Sequence, residues 1–195
     1  MPRRILLLQG HPDPAAPHLC HALAEHYAAG AREAGHEVRQ AVLTRLDFPL
    51  LRSAEDWKEG RLPESLEAVQ QNIAWCDHLV LVFPLWLGDM PALVKAFLEQ
   101  VMRPHFAFEY EAGNPLGRKG LTGRSARVVV TMGMPAAIYR HVYRAHSVRA
   151  LERNVLGFVG FAPVRETLIG SVEGLETRAR QRWLDRLRRL GTKAM

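Results

Sequence analysis

Arg4-Ile-Leu-Leu-Leu-Gln-Gly-His-Pro-Asp-Pro-Ala-Ala-Pro-His18 is the stretch on which the reading of this chain turns. Its first half is a short apolar run ended by Gly10. Such a run without polar alternation is expected of a strand covered on both faces. The next segment, 17–35, reads as a helix, with Leu19, Leu23, Tyr27, Ala31 and Ala34 inward and Gly35 as its stop. The turn between strand and helix lacks the three spaced glycines that let a backbone approach a pyrophosphate. A nicotinamide-binding domain of that type is therefore excluded.

Outward from this stretch the chain alternates between strand and helix. Glu37–Leu43 is a weaker strand, 44–62 is irregular, and a helix runs from Pro63 with Leu66, Val69, Ile73 and Cys76 on one face. His78–Pro84 is the most hydrophobic strand, and Pro91 suits the first turn of a helix that continues to Met102. A loop over 103–124 leads to a strand at 126–132, a helix near 145–159, a strand at 164–169 and a terminal helix. Five strands separated by helices imply a parallel sheet covered on both faces. The expected fold is α/β, flavodoxin-like, with strand order 2-1-3-4-5, in one domain spanning 1–195.

Composition narrows the function classes. The 195 residues are 48% apolar and 24% charged, which excludes disorder and low-complexity chemistry. The longest apolar run is nine residues, Leu79 to Leu87, with Pro84 inside it, too short for a membrane helix. The opening residues lack the apolar length of a secretory signal. Cys20 and Cys76 form neither a disulfide nor a metal pattern, so a cytoplasmic location and no metal are expected. The net charge of +6 concentrates in 139–153 and 178–189. In the second stretch Leu175, Ala179, Trp183, Leu187 and Leu190 form one apolar stripe, which makes the arginines the wet face of a helix. No nucleic-acid motif accompanies them, and nucleic acid is not an expected partner.

Ligands of open α/β sheets bind beyond the carboxyl ends of the strands. That rule nominates the loops 10–18, 84–90 and 132–140. The first carries His11 and His18 at a helix N-terminus, which attracts phosphate; a histidine capping its own loop is the alternative. The second, Pro84-Leu-Trp-Leu-Gly-Asp-Met-Pro91, places large apolar groups where solvent should be, as a ligand wall or a subunit contact. The third, Thr131 to Tyr139, holds Gly133, whose bare backbone can approach a ring edge or simply turn the chain.

At these residues the chain resembles the flavodoxin-fold NAD(P)H:quinone oxidoreductases, a family that includes ancillary subunits of glutathione-gated potassium-efflux systems. The marks are the HPDP start, Asp47-Phe-Pro-Leu-Leu51, and above all FPLWLGDMPALVKAFLEQVM over 83–102. Gly120-Leu-Thr-Gly123, Thr131-Met-Gly133 and Gly157-Phe-Val-Gly160-Phe161 complete them. The resemblance implies a bound flavin. Its phosphate loop corresponds to His11, Pro17 and His18, and Pro84, Leu85, Trp86, Leu87 and Gly88 run along the ring. Thr131, Met132, Gly133 and Met134 stand where the family's backbone meets the ring's polar edge. Tyr139 matches the active-site tyrosine. The family's histidine falls at or beside Ala145, which makes His146 the nearest candidate, with His141 behind it. Phe108 and Tyr110 match aromatic residues that reach over the partner subunit's flavin and bind substrate. Two departures stand out. Ala15, Ala16 and Pro17 replace the usual hydroxyl residue of the phosphate loop, and the extensions of the FAD-binding members are missing, which favours FMN over FAD.

The implied activity is two-electron transfer from NAD(P)H through flavin to a quinone or similar acceptor, with donor and acceptor sharing one slot in turn. A regulatory flavin-binding subunit docked on a potassium-efflux transporter is the rival reading. Trp86 and Leu87 at a strand end, with Phe106, Phe108 and Tyr110 in a loop expected to lack a strand partner, give more apolar surface than monomers tolerate. A two-fold homodimer that covers this surface is the expected assembly.

Overall fold

Apolar side chains on alternate sides of the first strand divide the core into two layers. The computed structural model describes residues 1–111 and 113–195, with 115 and 116 by their backbone alone. In chain order the strands are β1 (Arg4–Gln9), β2 (Glu37–Val42), β3 (His78–Pro84), β4 (Phe108–Glu111), β5 (Asn114–Lys119), β6 (Ser125–Thr131) and β7 (Val164–Ile169). Five of them form one parallel sheet in the order β2-β1-β3-β6-β7. This is the flavodoxin-like 2-1-3-4-5 arrangement, with β4 and β5 set apart as an antiparallel hairpin. Leu6 and Leu8 of β1 join Leu79, Leu81, Phe83, Val128 and Val130 on one face; Ile5 and Leu7 join Val80, Val82 and Val129 on the other. Each such side chain contributes roughly 1.5–3 kcal/mol when fully buried.

The helices are α1 (Leu19–Glu33), α2 (Ala54–Glu59), α3 (Glu64–Trp75), α4 (Ala92–Val101), α5 (Ala136–His141), α6 (His146–Ala150), α7 (Gly157–Val159) and α8 (Thr177–Thr192). α1 and α8 cover one face at very short range. A Cβ on Gly191 would lie 2.1 Å from the Tyr27 carbonyl oxygen, and one on Gly30 equally close to that of Arg188. Only glycine permits this approach. Gly35, at φ +79°, closes α1, and the N–H of His36 reaches back to the Ala31 carbonyl at 3.0 Å.

Four sequence expectations need correction. α1 starts at Leu19 rather than at 17, because His18 is extended. The stretch expected to be irregular contains α2, opened by Ser53, whose Oγ accepts the Asp56 N–H at 2.9 Å. The loop over 103–124 contains the β4–β5 hairpin. The helix near 145–159 is divided into α6, a π-helical turn over Leu151–Leu156, and α7.

Candidate active site

β1, β3 and β6 end side by side, and their outgoing loops lie on one edge of the sheet. The first loop leaves Gly10, whose N–H donates to the Val82 carbonyl at 2.7 Å. A Cβ there would meet Val94 at 2.6 Å. His11 is buried and its ring stacks on His18 at 3.7 Å between centroids. Burial, reinforced by the charge of His18, lowers the His11 pKa and keeps the imidazole neutral near pH 7. His18 turns Nε2 to Asp13 Oδ2 at 2.7 Å, and this contact holds the Asp13 carboxyl below its ordinary range. The departure from the family's loop therefore has a physical consequence: one of the two phosphate-loop histidines already has an anion. Pro17 is exposed beside it. No side chain caps α1. Among the described residues the N–H groups of Ala16 and Leu19 find no acceptor.

The second loop prolongs the ladder by one bond, from the Leu85 N–H to the Thr131 carbonyl at 2.7 Å, and then reverses. Trp86 and Asp89 exchange both backbone bonds, at 2.9 and 3.0 Å, around Leu87 (φ +48°) and Gly88 (φ +79°). Two central residues with positive φ define a type I′ turn, a conformation that suits Gly88 and strains leucine. The strained Leu87 is also fully exposed, and Trp86 is 49% exposed. Strain and exposure of large apolar groups at one turn are costs that a ligand wall explains. The Trp86 ring stands edge-on to His11 at 6.2 Å, which joins the first loop to the second.

The third loop offers backbone donors. Thr131 directs its hydroxyl away, to Cys20 Sγ at 3.1 Å. Met132 donates to the Ile169 carbonyl at 2.9 Å, while the N–H groups of Gly133 and Met134 have no acceptor among the described residues. A Cβ on Gly133 would meet nothing nearer than Glu173 Oε1 at 3.4 Å, so the backbone is accessible there. Leu87, Gly88, Met134, Tyr139, Tyr143, His146 and Ser147 line a cavity of about 390 Å³ that joins the second loop to the third. Tyr139 is buried, and its hydroxyl meets Ser147 Oγ at 2.6 Å and the Val148 N–H at 3.3 Å. The candidate partner from the sequence, His146, lies at the rim of this cavity and makes no hydrogen bond to Tyr139. Ser147 fills that position, a residue that sequence reasoning missed. The eight-residue offset from Tyr139 carries no recognisable signal, because it depends on the path of the intervening chain.

Phe108 and Tyr110 do not join this cavity. Phe108 lies on β4, is 4% exposed, and packs on Phe158 at 4.9 Å, which corrects the expectation that this loop lacks a strand partner. Tyr110, 68% exposed, stands beside it at 5.3 Å. Both line a separate groove of about 240 Å³ with Trp57, Leu98, Met102 and Phe158. Phe106 is partly buried against the same core.

The uncapped α1 terminus suits a phosphate, the apolar turn suits a flat ring, and the amides of Gly133 and Met134 suit acceptors on that ring's edge. These residues fit a flavin mononucleotide.

A model of the flavodoxin-like fold family matches residues 3–190, and the chain belongs to that family. An uncharacterized NAD(P)H oxidoreductase of Haemophilus influenzae is 24% identical over 184 residues, covering 92% of this chain and 90% of its own. An FMN-dependent NADH:quinone oxidoreductase of Hahella chejuensis is 32% identical over 99 residues, covering 50% of this chain. The match spans 45% of that protein's length, and 57% of the length of a Penicillium crustosum ribosyldihydronicotinamide dehydrogenase-like protein. Among solved structures, an NAD(P)H:quinone oxidoreductase from Methanothermobacter marburgensis superimposes with a TM-score of 0.81 at 24% identity, covering 99% of this chain and 97% of that one.

Proposed function

We propose that this protein is an FMN-dependent NAD(P)H:quinone oxidoreductase, acting in the cytoplasm as a two-fold homodimer. The observation that carries the activity is the cavity between the Trp86–Asp89 turn and Tyr139, beside the Gly133 and Met134 N–H groups, which have no acceptor among the described residues. The Hahella relative, which is FMN-dependent, supports the cofactor. His11 and the amides of Ala16 and Leu19 would hold the phosphate. Trp86, Leu87 and Gly88 would wall the ring, and Gly133 and Met134 would donate to its polar edge. When bound there, flavin supplies two-electron transfer from NAD(P)H to an acceptor. The chain's part is to orient, to exclude water, and to place the Tyr139 hydroxyl beside the slot. One slot serving donor and acceptor in turn gives ping-pong kinetics.

The dimer reading rests on the exposed Trp86, Leu87, Ile138, Val142 and Tyr143, and on the aromatic groove of Phe108 and Tyr110 that lies away from its own chain's cavity. A partner's groove would close the open side of each slot. The free thiols of Cys20 and Cys76 suit a reducing compartment, and no described helix is long and apolar enough to cross a membrane.

The test is the visible spectrum of purified protein, mass analysis of the released cofactor, and turnover with NADH and benzoquinone. A colourless protein that cannot be reconstituted with FMN would remove this reading. Light scattering of active protein addresses the assembly, and a 22 kDa species with full activity would refute the shared site.

A further inference from the structure

We propose that Ser147 is a positioning residue of this site, fastening Tyr139 to the turn that walls the slot, in the place where a histidine was expected. Its catalytic consequence rests on the quinone-reductase reading; its structural consequence does not.

Three elements meet at one hydroxyl. Ser147 Oγ, at the start of α6, donates to the Gly88 carbonyl at 2.7 Å and lies 2.6 Å from the Tyr139 hydroxyl of α5. A serine has one hydroxyl proton, and here it goes to Gly88. The proton in the shorter contact must then come from Tyr139. The tyrosine oxygen in turn accepts the Val148 N–H at 3.3 Å. The chain of bonds therefore has a direction, from Val148 through Tyr139 and Ser147 to Gly88. It holds the phenol and the strained turn in one arrangement.

The backbone is bent to make this contact. Arg144 and Ala145 both have positive φ, 53° and 48°, and neither is glycine or asparagine. Two consecutive left-handed residues of ordinary type are strained, because their Cβ atoms crowd the backbone. They stop the chain after α5 and restart it so that Ser147 faces Tyr139. The same kink leaves His146 exposed. On the other side, the Gly88 carbonyl belongs to the turn that contains the left-handed Leu87 and is closed by the Trp86–Asp89 backbone pair. Ser147 adds a tie to that turn from outside it. Because a serine does not titrate near neutrality, the link is independent of pH where an imidazole would gain a proton.

The test uses the full chain in two forms. In flavin-free protein, hydrogen exchange of the bonded amides of Trp86 and Asp89 should quicken about tenfold in Ser147→Ala and stay within about twofold of the parent in Ser147→Thr, which keeps the hydroxyl. In the FMN-loaded protein, Ser147→Ala should lower kcat for benzoquinone about tenfold with the NADH KM unchanged. Ser147→Thr should restore most of it, and His146→Ala should cost less than Ser147→Ala. Parental exchange rates in Ser147→Ala would overturn the proposal. So would a loss of kcat in His146→Ala as large as that in Ser147→Ala, which would make His146 the partner. If loaded parent protein reduces no quinone, the quinone-reductase reading fails, and the exchange measurement alone decides whether Ser147 is the tether.

Discussion

The two ends of the sheet use their polar groups in opposite ways. At the amino ends of the strands nearly every charge is engaged. Arg4 pairs with Asp77 at 2.6 Å, His78 Nδ1 meets Ser125 Oγ at 2.8 Å, and the buried Arg127 donates to Thr167 Oγ1 at 2.7 Å and to the Met195 carbonyl. At the carboxyl ends, amides of Ala16, Leu19, Gly133 and Met134 have no acceptor among the described residues, and Leu87, Arg144, Ala145 and Ser171 sit in left-handed conformations. At the amino end the paired side chains close the fold, with the buried Nε2 of His78 as an exception, whereas the carboxyl end leaves backbone donors open. Local rules fail mostly where a ligand is to complete the structure.

The largest effect expected from this contrast lies at the closed end. Burial among Arg127, Arg3 and Arg165 pushes the His78 pKa down to about 3 from about 6.5. Below pH 6.5 the unfolded chain protonates this residue and the native chain does not, so stability is full above 6.5 and lost as pH falls toward 3. The slope from this one group is up to about 1.4 kcal/mol per pH unit. His78→Asn should flatten the fall in unfolding free energy between pH 6 and 4, measured by denaturant titration at each pH. An unchanged slope would show that the sheet's amino end is wetter than its geometry indicates.

The next effect belongs to the open end. His11 is neutral, buried and stacked, so its ring N–H is available to an anion only at one nitrogen. His11→Ala should weaken FMN retention by about 1–3 kcal/mol, the range for a charge-assisted hydrogen bond. Equilibrium dialysis of parent and variant measures it. Equal retention would move the phosphate to the α1 amides alone.

The same contrast explains how much was legible in the sequence. β1 and β3 were plain because both their faces are buried, and burial writes itself as an unbroken apolar run. The three loops came from the sheet rule, and Trp86 with Leu87 betrayed the second by being apolar at a strand end. The hairpin was not legible. Phe108 looks stranded in a loop because the groups that cover it, Phe158 and Trp57, come from segments 50 residues away on either side. Ser147 was hidden for a different reason. Its position depends on Arg144 and Ala145 turning left-handed, and nothing in their chemistry announces that.

A smaller effect, of opposite sign, tests whether the open end carries stored strain. Leu87→Gly removes a left-handed leucine and an exposed apolar group, and should raise stability by about 0.5–1 kcal/mol after glycine's extra unfolded-state entropy is allowed for. Quinone turnover should fall in the same variant, because the slot loses part of its wall. Denaturant midpoints and kcat, measured together, check both halves. A variant that is less stable than the parent would mean that Leu87 is covered within the assembly, which light scattering of the variant would reveal as a weakened dimer.

The smallest effect is expected where the structure looks most tightly made. Arg4 and Asp77 form a close pair, supported by the Arg4 N–H to Asp77 Oδ2 at 3.0 Å, and the hydrogen bond from Arg4 holds the Asp77 carboxyl below its ordinary range. Both side chains are nevertheless substantially exposed, so solvent screens the pair and the ordered guanidinium loses conformational freedom. Arg4→Gln should therefore lower Tm by no more than about 2 °C at neutral pH. The depressed carboxyl sets the pH course. Its contribution is present above the unfolded value near 3.9 and is lost as pH falls through the lower native one, so parent and variant should converge in acid once the native carboxyl is protonated. Salt at about 0.5 M should close most of the gap at pH 7 as well. A gap that survives both acid and salt would locate the effect in the Arg4 guanidinium over the Trp75 ring, 5.9 Å from its centroid, rather than in the ion pair.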